Sequence, residues 1–62
     1  MARILVVEDE KAIRNVLRNI LLNENAAHVV DEAEDGAMAI EALGNAAYDL
    51  VLCDIKMPHK DG

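Results

Sequence analysis

The residues best suited to chemistry in this sequence are carboxylates placed at the ends of apolar runs. Glu8 and Asp9 follow RILVV at positions 3–7, and Asp54 follows LVLC, which closes at position 53. An acid in that place either caps the next element or faces a ligand. Were the three carboxylates to converge, each like pair about 4 Å apart would cost roughly 4 kcal/mol at an effective dielectric near 20. A cation would offset that cost. Hard oxygen ligands on loops suit Mg²⁺, which keeps several waters and takes one or two carboxylates plus a phosphate. An aspartate beside such an ion is also a competent nucleophile towards phosphorus, because carboxylates form aspartyl phosphates. The cluster reads as a metal-assisted phosphoryl acceptor.

Whether the acids meet depends on the elements that carry them. RILVV is short, continuous and rich in β-branched residues, as expected of a strand buried on both faces. From Glu10 the period changes: Ile13, Val16, Leu17, Ile20 and Leu21 recur at helical spacing, predicting a helix over about 10–22. Asp9 is placed to be its N-cap, acids fall at its first turn, and NEN at 23–25 ends it. HVVDEA at 28–33 is a second strand whose polar residues suit a sheet edge. EDG at 34–36 signals a turn. AMAIEAL at 37–43 predicts a short helix with Ala37, Ile40 and Leu43 on one side, stopped by Gly44 and Asn45. DLVLCD is the third strand, and KMPHKDG at 56–62 a loop.

The order is βαβαβ, an α/β chain with a parallel sheet and right-handed crossovers. The all-apolar first strand needs cover on both faces and belongs in the centre. Strand order 2-1-3 then follows, with the two helices on opposite faces. Open sheets of this kind bind ligands at the carboxyl ends of strands where the winding reverses. Glu8, Asp9 and Asp54 all fall there.

Length and charge limit the alternatives. Sixty-two residues make at most one small domain, and such a chain buries only about 60% of the surface it exposes when unfolded. The single Cys53 forms no internal disulfide and fits a reducing, cytoplasmic setting. MARILVVEDEK reaches acids after seven residues, whereas a membrane span needs roughly 18 apolar ones. A net charge of -6 disfavours direct contact with nucleic acid or a membrane surface.

ILVVEDEKAIR, EAEDGAMAIEAL and YDLVLCDIKMPHKDG together resemble, in order and spacing, the amino-terminal half of the receiver domains of two-component response regulators. The resemblance covers residues 1–62 and is chemotaxis-regulator-like. It implies the βαβαβ half of a flavodoxin-like doubly wound sheet. It implies a phosphorelay module that takes a phosphoryl group on Asp54 from a sensor histidine kinase. It also implies Mg²⁺ held by Asp9 directly, by Glu8 partly through water, by Asp54, and by the backbone carbonyl of Lys56. Pro58 and Gly62 match the loop that leads to the family's third helix. DIKMP resembles regulators with an ATPase output module. The resemblance further implies an output domain in a full-length protein, DNA-binding or ATPase. It places outside these 62 residues a fourth strand with a hydroxyl residue, a fifth with a lysine, and an aromatic switch position.

LVLC is as apolar as a central strand yet would be an edge here, so a covering partner is expected: a second copy in a homodimer, the complementing half, or another protein. The plainer readings differ by residue. Asp9 could serve as an N-cap, Asp54 cap a turn, and Glu8 be a solvated acid. The Lys56 side chain reads as solvated, Cys53 as core packing, and Met38 and Met57 as gap fillers. His28 and His59 read as surface residues, and Asp35 with Gly36 as a turn. A haloacid-dehalogenase-type phosphatase would need a second acid two places after Asp54, where Lys56 stands. A nucleotide or flavin binder would want a glycine-rich phosphate loop, but the three glycines sit at 36, 44 and 62. The chain therefore reads as no enzyme. The serious rival is a receiver fragment that assembles and binds partners without being phosphorylated.

Overall fold

The computed structural model describes residues 1–53. Five elements follow one another: β1 (Arg3–Val7), α1 (Lys11–Glu24), β2 (Val29–Ala33), α2 (Gly36–Asn45) and β3 (Leu50–Cys53). The strands form one parallel sheet in the order β2-β1-β3. This is the βαβαβ order and 2-1-3 sheet that the alternation of periods predicts, and the partial flavodoxin-like α/β fold that the resemblance implies.

β1 is central because its residues alternate between two separate cores. Leu5 and Val7 join Ala33 and Ala39 on the α2 face, with Ala42 and Tyr48 packed against them. Ile4 and Val6 join Val30 on the other face, where Leu17, Leu21, Leu22 and Leu52 pack. The two helices thus lie on opposite sides of the sheet. All four of these β1 residues are at most 2% exposed, so no position on the strand from Ile4 onward could be polar without burial cost.

The helices meet the sheet with somewhat different faces from those expected. On α1, Leu17 and Leu21 turn inward, but Val16 and Ile20 are 55% and 57% exposed. The apolar stripe is wider than the three-stranded sheet beneath it. On α2, Ala39 and Ala42 face the sheet, while Ala37, Ile40 and Leu43 are exposed. Small residues let that helix lie close to β1 and β2, which moves its bulky side chains to the flank.

The caps also shift. α1 begins at Lys11 with Glu10 as N-cap, so Asp9 does not cap it, and no acid occupies its first turn. The Glu10 N–H is instead taken by the Glu8 carboxylate. Asp35 is more than a turn residue: it is the N-cap of α2, its carboxylate accepting from Met38 N–H at 2.8 Å. Gly44 and Asn45 lie within α2, whose C-cap is Ala46.

β3 is an edge among the described strands. Leu50 and Val51 are 47% and 42% exposed on its two faces, and only Leu52 is drawn into a core. Cys53 is an exposed thiol, not a core residue, because nothing among the described residues covers that strand's outer side. Met38 is likewise exposed. No helix among the described residues is long and apolar enough to cross a membrane.

Candidate functional site

The register of the sheet decides where the acids go. Val7 is level with Cys53 on β3 and Ala33 on β2, so the carboxyl ends of all three strands lie side by side. Glu8 and Asp9 leave β1 at that end. Asp54 follows Cys53 in the chain, but Asp54, Lys56, Met57, Pro58, His59 and Gly62 lie outside the described residues.

Glu8 is held on every side. Its N–H donates to Ala33 C=O at 3.0 Å, extending the β1–β2 ladder past the end of the strand. Its Oε2 accepts the Glu10 N–H at 2.9 Å, and its backbone carbonyl accepts from Arg14 Nη1 at 2.8 Å. At 2% exposure it is the one buried polar residue among those described, so it is an anchored acid, not a solvated one. Asp9, next in the chain, is exposed. One carboxylate is buried and fixed while its neighbour is open to solvent. Hard oxygen donors of that kind fit Mg²⁺, which binds through few carboxylates and keeps water on its open side. Among the described residues alone, no group of three or more acids, histidines or cysteines stands close enough to hold a metal.

Behind the acids stands a charged network that the sequence pattern did not single out. Arg14, only 13% exposed at its side chain, donates from Nε to Glu32 Oε1 at 3.1 Å. Arg18 donates from Nη1 to Glu32 Oε2 at 2.9 Å. Burial works to raise the Glu32 pKa, but the hydrogen bonds from Arg14 and Arg18 outweigh it and hold the carboxyl below its usual range. The sequence held a signal for this in Arg14 and Arg18, spaced i and i+4 on one helix, with the acids of VVDEA on the adjoining strand.

A second cluster sits at the opposite, amino end of the sheet. Asp31 Oδ2 accepts from the Tyr48 hydroxyl at 2.5 Å and from Arg3 Nη2 at 3.0 Å, and the Arg3 guanidinium lies 5.3 Å from the Tyr48 ring centre. Asp49 Oδ2 accepts the Arg3 N–H at 2.8 Å, which pins the lead into β3. His28 is half-buried rather than free on the surface, its Nδ1 accepting the Ala2 N–H at 3.1 Å. The Tyr48 hydroxyl and then Arg3 push the Asp31 pKa down, and the same bond to Asp31 pushes the Tyr48 pKa up.

Both shifted carboxyls make stability depend on acid pH. Their folded values lie below the ordinary 3.8 of Asp31 and 4.5 of Glu32, so the unfolded chain binds more protons there. The stabilisation is fully present above those ordinary values and is lost as pH falls through the lower folded ones. Both groups are partly exposed, so solvent screens each pair and its contribution to stability is small. Urea midpoints should be flat near neutrality and fall below about pH 4. Tyr48→Phe should shrink that fall; an equal acid loss in the variant would remove Asp31 from the account.

The chain matches the family model of the response regulator receiver domain over residues 4–62. It is similar to the two-component response regulator ORR41 of Oryza sativa subsp. japonica, at 48% identity over 64 residues, covering 100% of this chain and 50% of that protein. It is 52% identical over 60 residues to the transcriptional regulatory protein ResD of Bacillus subtilis, covering 97% of this chain and 24% of that one. With the chemotaxis protein CheY of Bacillus subtilis it shares 45% over 60 residues, 97% of this chain and 49% of that one. The chain thus spans about half the length of two of these relatives and a quarter of the third. No solved structure matches it. With its acids leaving β1 at the carboxyl end of a 2-1-3 sheet and the family model covering nearly its whole length, the chain belongs to the receiver-domain family of two-component response regulators.

Proposed function

We propose that residues 1–62 are the amino-terminal part of a phosphoacceptor receiver, with Asp54 as acceptor and a sensor histidine kinase as donor. The observation that carries the reading is the register: Glu8 and Asp9 follow Val7, Asp54 follows Cys53, and Val7 and Cys53 are partners across β1 and β3. In this reading Glu8, Asp9 and Asp54 supply carboxylate oxygens and Lys56 a backbone carbonyl to Mg²⁺. The ion, when bound, screens the negative charge that acceptor and phosphoryl donor bring together. Glu8 stays put because its carboxylate is tied to the Glu10 N–H and its carbonyl to Arg14. The Asp54 carboxylate attacks phosphorus as the P–N bond of a phosphohistidine breaks, and the imidazole leaves with a proton from water. The chain acts as acceptor, not as a catalyst with its own substrate. It works in the reducing cytoplasm, where Cys53 remains a thiol, and passes the signal to an output domain, DNA-binding or ATPase, in a longer protein.

Amide NMR of the labelled chain, without and with Mg²⁺ and a beryllofluoride phosphoryl mimic, tests this. Shifts concentrated at Glu8, Asp9 and Asp54 to Met57 are expected. Dispersed peaks indifferent to both additions would overturn the proposal.

The exposed edge of β3 favours a second reading, in which the chain only assembles through that edge, with a second copy or a complementing half. Both readings allow Mg²⁺ binding. Covalent modification of Asp54 separates them.

A further inference from the structure

Arg14 joins three elements at the acidic end of the sheet. It lies on α1, its Nη1 donates to the Glu8 carbonyl at 2.8 Å, and its Nε donates to Glu32 on β2 at 3.1 Å. Its own N–H makes the first bond of the helix, to Glu10 C=O at 3.0 Å. The turn from Glu8 to Glu10 is therefore closed from both ends: by Arg14 on the Glu8 carbonyl, and by the Glu8 carboxylate on the Glu10 N–H. Asp9, exposed, is the residue between those two fixed points.

We infer that Arg14 is a positioning residue for the acidic pair, holding the β1–α1 turn so that Glu8 and Asp9 present their oxygens to a divalent cation. The inference deepens the proposed function and rests on it for the identity of the cation. The guanidinium fork is what permits the role, since one planar group satisfies a carbonyl and a carboxylate at once. Glu32 in turn aims the fork. Arg18 supplies the internal contrast. It shares Glu32 but reaches towards the Val30 carbonyl, not the Glu8 turn.

The sign of the effect distinguishes positioning from charge. A guanidinium near a dication repels it, so loss of the Arg14 charge alone would tighten Mg²⁺ binding. Loss of the hold on the turn would weaken it, by roughly tenfold if Arg14 acts as outer partners of metal ligands do. The test uses the full 62-residue chain and its Arg14→Ala, Arg14→Lys and Arg18→Ala variants. Mg²⁺ is titrated while the Asp9 amide is followed by NMR, and hydrogen exchange at the Glu10 amide is measured without metal.

Expected are weaker Mg²⁺ binding and faster Glu10 exchange in Arg14→Ala, a partial effect in Arg14→Lys, and neither change in Arg18→Ala. If Arg14→Ala loses its dispersed spectrum, Arg14→Lys, which keeps the charge but not the fork, is read in its place. Unchanged or tighter Mg²⁺ binding, or equal effects from Arg14 and Arg18, would overturn the inference. Should the unaltered chain bind no Mg²⁺, the metal reading fails on its own. The Glu10 exchange comparison then still decides whether Arg14 holds the turn.

Discussion

Asp54→Asn is expected to abolish covalent phosphorylation of the chain while leaving it folded. Asparagine keeps the shape of the side chain and its carbonyl oxygen but cannot supply the anionic oxygen that attacks phosphorus. Incubation with a small phosphoryl donor and Mg²⁺, followed by intact mass, should show a hydroxylamine-sensitive adduct on the unaltered chain and none on the variant. In the proposed pocket the substitution also removes one of three acids, the other two being Glu8 and Asp9. Like charges there repel, so the metal-free variant should unfold at higher urea than the parent. Labelling and stability thus move in opposite directions, a pairing that simple damage to the fold would not produce. An adduct that persists in the variant would move the acceptor to another residue. A parent chain that binds Mg²⁺ yet takes no label would leave assembly through β3 as the function.

What was legible in the sequence and what was not divide along physical lines. β1 was readable because four apolar residues in succession, Ile4 to Val7, have one place in a three-stranded parallel sheet, the middle. Order 2-1-3 and the opposed helices followed from it, and with them the end of the sheet at which Glu8 and Asp9 emerge. Helix faces were less legible, because periodicity weighs side chains by size. On α2 it pointed to Ile40 and Leu43, while close packing on the sheet selected Ala39 and Ala42. Local preference places the α1 cap at Asp9, because Asp is a strong N-cap residue, whereas the structure has Glu10 there. A carboxylate two positions before Glu10 reaches its N–H instead, which no local preference scale encodes. The Arg14–Glu32–Arg18 and Arg3–Asp31–Tyr48 groups join residues 14 or more positions apart. The i, i+4 spacing of Arg14 and Arg18 hints at the first group, but the partners of both are fixed only once β2 is docked beside β1 and the helices lie on the sheet.

Leu5→Ala should leave the chain close to unfolded under native conditions. Leu5 is 0% exposed, at the middle of the central strand, level with Asp31 on β2 and Val51 on β3, and packed into the core beneath α2. Truncating a buried leucine to alanine costs about 2–5 kcal/mol, from lost transfer energy and the cavity left behind. At roughly 0.05–0.15 kcal/mol per residue, a chain of this length has only about 3–9 kcal/mol to lose. Collapse of the neighbours could relieve little, because Val7, Ala33 and Ala39 are themselves buried and the alanines have no reach. Ile40→Ala is the matched control, since it removes a side chain of the same size at 73% exposure. Its effect should stay within about 0.5 kcal/mol, as for other surface changes. Circular dichroism with urea titration of the two variants reads the difference directly. Equal effects would mean that β1 is not the buried centre of the sheet, and the placement of Glu8 and Asp9 at its carboxyl end would fall with it.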